Sequence, residues 1–155
     1  MAAQAVTTVI LVRHAEKVSD EGDPPLSEAG AARANELARV LSDARVSAIY
    51  TTQYKRTQNT AAPLATALGV TPKVMRVGKT TTYAADVVRE ILQHHAGKTV
   101  LVVGHSNTTV DVLRELGVKE LPSIPETQYD DLFVVTLANN AIPKLVALRY
   151  GNVKR

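Results

Sequence analysis

Val6-Thr7-Thr8-Val9-Ile10-Leu11-Val12-Arg13-His14, residues 6–14, opens with seven β-branched or aliphatic residues and ends on a cation and an imidazole. An apolar run of this length without a helical period reads as a strand buried on both faces. Lys98-Thr99-Val100-Leu101-Val102-Val103 repeats the pattern and leads into Gly104-His105-Ser106-Asn107. Each buried strand thus places a histidine just past its end.

Between and beyond these strands the pattern alternates. Ser27 is a candidate N-cap for a helix to about Ser42, with Leu37, Val40 and Leu41 on one face. Val46–Thr51 reads as a strand, and residues 55–68 as a helix whose C′ residue is Gly69. Val70–Val77 reads as a further strand. A helix capped by Thr82 or a neighbour runs to about His95, where Gly97 ends it. Past the second histidine, Thr108–Leu116 is helical and Gly117 stops it. A loop with Pro122 and Pro125 leads to a hairpin, Leu132–Leu137 and Ile142–Leu148, around Asn139-Asn140.

Strand–helix alternation predicts one α/β domain over residues 1–155: a three-layer α/β/α sandwich on a mostly parallel sheet with an antiparallel C-terminal edge. In such sheets, sites form beyond the carboxyl ends of strands. If the two histidine-bearing strands are neighbours, their imidazoles face each other across one crevice. Tyr50-Thr51-Thr52 ends the second strand, and Arg56 follows at the start of the next helix, so two histidines and two arginines are expected at one end of the sheet.

The bulk numbers exclude little more. The 45% hydrophobic content can fill a core, which is poor in aromatics at 4%. No stretch of about 18 apolar residues exists, so no membrane span is expected. The net charge of +3 is small and scattered, without the basic stripe of a nucleic-acid binder. With no cysteine, thiol nucleophiles, thiolate metal sites and disulfides are excluded. The chain reads as cytoplasmic as written, or as exported if Ala3-Gln4-Ala5 is the remnant of a cleaved signal peptide.

Four segments resemble the histidine phosphatase superfamily in its phosphoglycerate-mutase-like branch: Arg13-His14 after the first strand, Leu26-Ser27-Glu28-Ala29-Gly30, residues 51–60 around Arg56, and Gly104-His105-Ser106-Asn107. Their order and placement carry the resemblance, which spans nearly the whole chain. It implies a phosphoglycerate-mutase-like fold and a phosphatase that passes through a phosphohistidine on His14. Arg13, Arg56 and a protonated His105 are then expected to hold the phosphoryl oxygens, with Asn107 assisting. Arginine suits this task because its planar fork donates bidentately and stays charged. No H-x-H or H-E-x-x-H pair is present, so neither metal nor cofactor is expected.

Expulsion of an alkoxide needs a proton donor, which the family usually supplies between the arginine and the second histidine. Here that stretch holds Asp86 and Glu90, and Glu16 is a further candidate. None matches a family acid motif, which leaves Asp86, Glu16 or no acid at all. A chain without an acid leans towards phosphohistidine and other activated phosphates. The short stretch also implies an uncapped crevice, as in the short phosphohistidine phosphatases, open to a phosphorylated small molecule or a phosphoprotein. The alternative from another class is a phosphate-binding module that lost its acid. A metal-dependent hydrolase is a third.

Overall fold

The computed structural model describes residues 5–79 and 82–152. Ala3 and Gln4 of the signal-peptide reading lie outside the described residues, as do Lys154 and Arg155. Six strands and four helices follow in the order β1 (Val6–Arg13), α1 (Glu28–Val40), β2 (Val46–Thr51), α2 (Lys55–Leu68), β3 (Lys73–Val74), α3 (Tyr83–His94), β4 (Thr99–Gly104), α4 (Ser106–Glu115), β5 (Asp131–Ala138) and β6 (Lys144–Arg149).

The sheet order is β3-β2-β4-β1-β5-β6. The first four of these strands run parallel, and β5 and β6 form the antiparallel edge. Side chains of β1 alternate between two cores. Val9 and Leu11 pack with Val87, Ile91 and Leu113 from α3 and α4. Ile10 and Val12 pack with Leu37, Ala61 and Leu64 from α1 and α2. Both faces of the central strands are thus buried, which is why their sequences lack an alternating polar residue. The three layers expected from the sequence are present.

Three expected elements differ. The third strand shrinks from residues 70–77 to Lys73–Val74, at the edge of the sheet. Pro72 has no N–H to give a ladder, and Val74 is 44% exposed, so little rewards further pairing there. The last strand begins at Lys144 instead of Ile142, because Pro143 intervenes and Ile142 is exposed. Helix α4 starts at Ser106, two residues before the expected Thr108. His105 is its N-cap, in extended conformation, and the Thr108 hydroxyl accepts the His105 backbone N–H at 2.8 Å. Thr108 here takes the N3 role that Glu or Gln fills in a capping box.

Candidate active site

Strands β1 and β4 pair in register, Arg13 opposite Gly104, and the His14 N–H donates to the Gly104 carbonyl at 2.8 Å. That register sets the two histidines side by side one residue beyond the ladder. Their ring centroids lie 5.4 Å apart, edge to face. Both rings line a cleft of about 490 Å³ together with Arg13, Arg56, Lys17 and Asn107. The sequence-predicted residues therefore share one cleft.

His14 is 3% exposed. Its Nδ1 lies 2.8 Å from the Ala15 carbonyl, which can only accept, so the ring proton sits on Nδ1 and the Nε2 lone pair is free. Nε2 makes no hydrogen bond among the described residues. Burial pushes the pKa down to about 3. The Ala15 carbonyl opposes this, and the charges of Arg13, His105 and Arg56 add to it.

His105 Nε2 lies 3.0 Å from Thr52 Oγ1, and Thr52 is held in turn by Thr57. Burial, then Arg56, Arg13 and Lys17, lower the His105 pKa to about 4, against the opposing pull of Glu126. The protonated His105 expected from the sequence is thus a neutral imidazole in this structure. A cation there would be desolvated beside three others.

Arg13 is buried and mostly committed. Its Nη1 donates to the carbonyls of Pro125, Glu126 and Gln128 at 2.8–3.2 Å, and Nη2 meets the Glu126 carboxylate at 3.1 Å. The Tyr129 ring stacks 4.2 Å from its guanidinium carbon. Arg56 stacks 4.4 Å over Tyr54, with Asp23 at 4.0 Å. The same Asp23 carboxylate accepts the Lys55 backbone N–H and so secures the start of α2. The Nε atoms of both arginines are buried and have no hydrogen-bond partner. A buried donor without an acceptor is costly and rare, and here two of them flank two imidazoles. Asn107 is exposed at the start of α4, a helix N-terminus that opens on the cleft and favours an anion.

The acids expected from the sequence are otherwise engaged. Asp86 is bound by Arg89 on the surface of α3. Glu16 is held by Arg33 in a bidentate pair at 2.8–3.0 Å, in a buried setting that also anchors the Tyr150 carbonyl. Four residues at the cleft were not anticipated from the sequence: Lys17, Tyr54 and Glu126, which line it, and Tyr129, which packs on Arg13. Tyr54 and Lys17 lie within or beside the quoted motifs, but nothing local marks Glu126 or Tyr129. Among the described residues no group of three or more His, Asp or Glu side chains could hold a metal ion. No helix among them is long and apolar enough to cross a membrane.

Residues 9–77 match the model of the histidine phosphatase superfamily, branch 1. Solved structures share the fold at low identity. The putative phosphohistidine phosphatase SixA from Agrobacterium tumefaciens is 22% identical with a TM-score of 0.68, over 92% of this chain and 97% of that one. Bacillus stearothermophilus YhfR is 18% identical with a TM-score of 0.72, over 90% and 95%. A mycobacterial glucosyl-3-phosphoglycerate phosphatase in complex with VO3 is 16% identical with a TM-score of 0.74, over 93% and 99%. No curated protein matches the chain.

The depressed histidines predict a pH dependence. The unfolded chain takes up protons near pH 6.5, and the folded one refuses them until about pH 4 and about pH 3. Stability from these two groups is therefore complete above about pH 6.5 and falls progressively as pH drops towards 4. Imidazole NMR at about pH 5.5 should show both rings neutral, where an unperturbed histidine is mostly protonated.

Proposed function

We propose that the chain is a metal-independent phosphatase that hydrolyses a phosphomonoester or phosphoramidate through a phosphohistidine on His14. The carrying observation is the pairing of a free, neutral Nε2 on His14 with the two unpartnered guanidinium N–H groups of Arg13 and Arg56 in one cleft. The relatives named as phosphatases, one of them holding the oxyanion VO3, support the same reading.

The chemistry follows from these atoms. Phosphoryl transfer has a loose transition state, so the protein contributes positioning and charge stabilisation. The His14 Nε2 lone pair attacks phosphorus while the bond to the leaving group breaks. Positive charge then grows on the imidazole, and the Ala15 carbonyl accepting from Nδ1 stabilises it. Arg13 Nε, Arg56, the start of α4 and Asn107 hold the phosphoryl oxygens. An oxyanion seated there offsets the cations around His105 and favours its protonated form, which then donates to the same oxygens. Water finally attacks phosphorus, the P–N bond breaks, and its electrons return to Nε2. The open cleft admits a phosphorylated small molecule or a phosphoprotein loop.

Hydrolysis of p-nitrophenyl phosphate in the presence of a chelator tests the proposal, followed by a quench and a probe for acid-labile phosphate on the protein. Turnover with trapped phosphohistidine is expected. Loss of turnover in chelator would instead mark a metal-dependent hydrolase. Binding of vanadate without turnover would mark a phosphate-binding module.

A further inference from the structure

We infer that Glu126 is the proton donor to the leaving oxygen, and that the substrate class is therefore a phosphomonoester with an unactivated alcohol as leaving group. The inference rests on the phosphatase reading of the cleft and adds to it the missing acid.

Glu126 lies on the loop between α4 and β5, far in sequence from every motif. The tertiary structure nonetheless fixes it at the nucleophile's neighbour. Arg13 grips the backbone of this loop through three carbonyls, and its Nη2 holds Glu126 Oε2 at 3.1 Å. Ser106, the first residue of α4 after His105, donates its hydroxyl to Glu126 Oε1 at 2.5 Å. The carboxyl group therefore bridges the two elements that carry His14 and His105, and it lines their cleft. Arg13 keeps one edge on this carboxyl and leaves Nε for the phosphoryl group, which sets the acid next to the reacting centre. The side chain is 77% exposed, so it can turn towards a leaving group in the open cleft. Of the carboxylates the sequence offered, Asp86, Glu90 and Glu16 do not line the cleft, whereas Glu126 does.

The proton count closes. As Nε2 bonds to phosphorus, the P–O bond breaks, its electrons pass to the leaving oxygen, and the Glu126 carboxylic acid supplies the proton. The alcohol departs and Glu126 is a carboxylate. In the second step that carboxylate takes a proton from the attacking water as the P–N bond breaks, which restores the acid.

The test compares wild type and Glu126→Gln on a series of monoesters: p-nitrophenyl, phenyl and an alkyl phosphate. Glutamine is isosteric and gives up one of the two side-chain contacts, to Arg13 or Ser106, but the side chain is 77% exposed and the three Arg13 contacts to the loop backbone remain, so the variant should fold, as its thermal unfolding midpoint checks. Loss of kcat/KM on the alkyl ester is expected to reach about 10²–10⁴-fold. It should shrink as the leaving group improves, so the plot of rate against leaving-group pKa steepens. An equal loss on all three esters, or none, overturns the assignment, as does a wild type that cleaves the aryl esters and no alkyl ester. A wild type inert towards p-nitrophenyl phosphate would sink the phosphatase reading itself.

Discussion

On the proposed covalent route, His14→Ala should lower kcat/KM for p-nitrophenyl phosphate by roughly 10⁴–10⁶-fold, to the rate that binding and electrostatics alone sustain. The expectation follows from how unequal the two imidazoles are. His14 has Nδ1 committed to the Ala15 carbonyl and Nε2 free. His105 has Nε2 on Thr52 and its backbone built into the cap of α4. With His14 removed, the other ring is tied to the threonine pair that holds it. On the proposed route a good leaving group does not help the variant, since the part removed is the nucleophile and not the acid. Steady-state kinetics and the loss of trapped phosphoenzyme check the result. An active His14→Ala protein would mean that water attacks directly, and the covalent route would be wrong.

The second large effect concerns a residue outside the cleft. A glycine in a helix is usually improved by alanine, by about 1 kcal/mol. Gly30→Ala should do the opposite and cost about 3 kcal/mol, lowering the unfolding midpoint by roughly 6–12 °C. A Cβ on Gly30 would stand 2.0 Å from the Glu16 carbonyl oxygen and 3.0 Å from two further backbone atoms of that residue. That carbonyl cannot simply retreat. It accepts the Ser27 N–H at 2.9 Å, and the Glu16 side chain is fastened to Arg33. The first turn of α1 must instead lift away from the loop after β1. Because Glu16 is two residues from His14, activity should fall along with stability. Thermal denaturation read beside kcat/KM checks both, and an unchanged midpoint would contradict the packing described.

This clash explains in physical terms what the Leu26-Ser27-Glu28-Ala29-Gly30 segment does. Ser27 caps the helix through the Gly30 N–H and at the same time binds the Glu16 carbonyl. The glycine lets the helix come close enough for that. The segment is a clamp on the loop that follows His14, so its spacing was readable before its purpose was.

The fold and half of the cleft were legible because they depend on local rules. Val6–Val12 and Lys98–Val103 are too apolar to face water on either side, so they read as buried strands, each with a histidine just past its end. That the two strands are neighbours, and so bring His14 and His105 together, came from the β1–β4 pairing. Arg56 was readable from its place in the first turn of a helix after a strand. Arg13 was legible too, but its commitment to a loop more than a hundred residues away was not. The reach of β3 was overestimated because pairing at an edge depends on a neighbour that Pro72 cannot serve.

Thus the order of strands and helices, and the pair of histidines past the central strands, were determined by the sequence alone, since burial periodicity and backbone chemistry are properties of short segments. Only the tertiary structure decided the tautomer of His14, the neutrality of His105, the stacking of Tyr54 and Tyr129 on the arginines, and the arrival of Glu126 at the cleft. Those features arise from burial and from contacts between segments distant in the chain, and no local pattern encodes such distances.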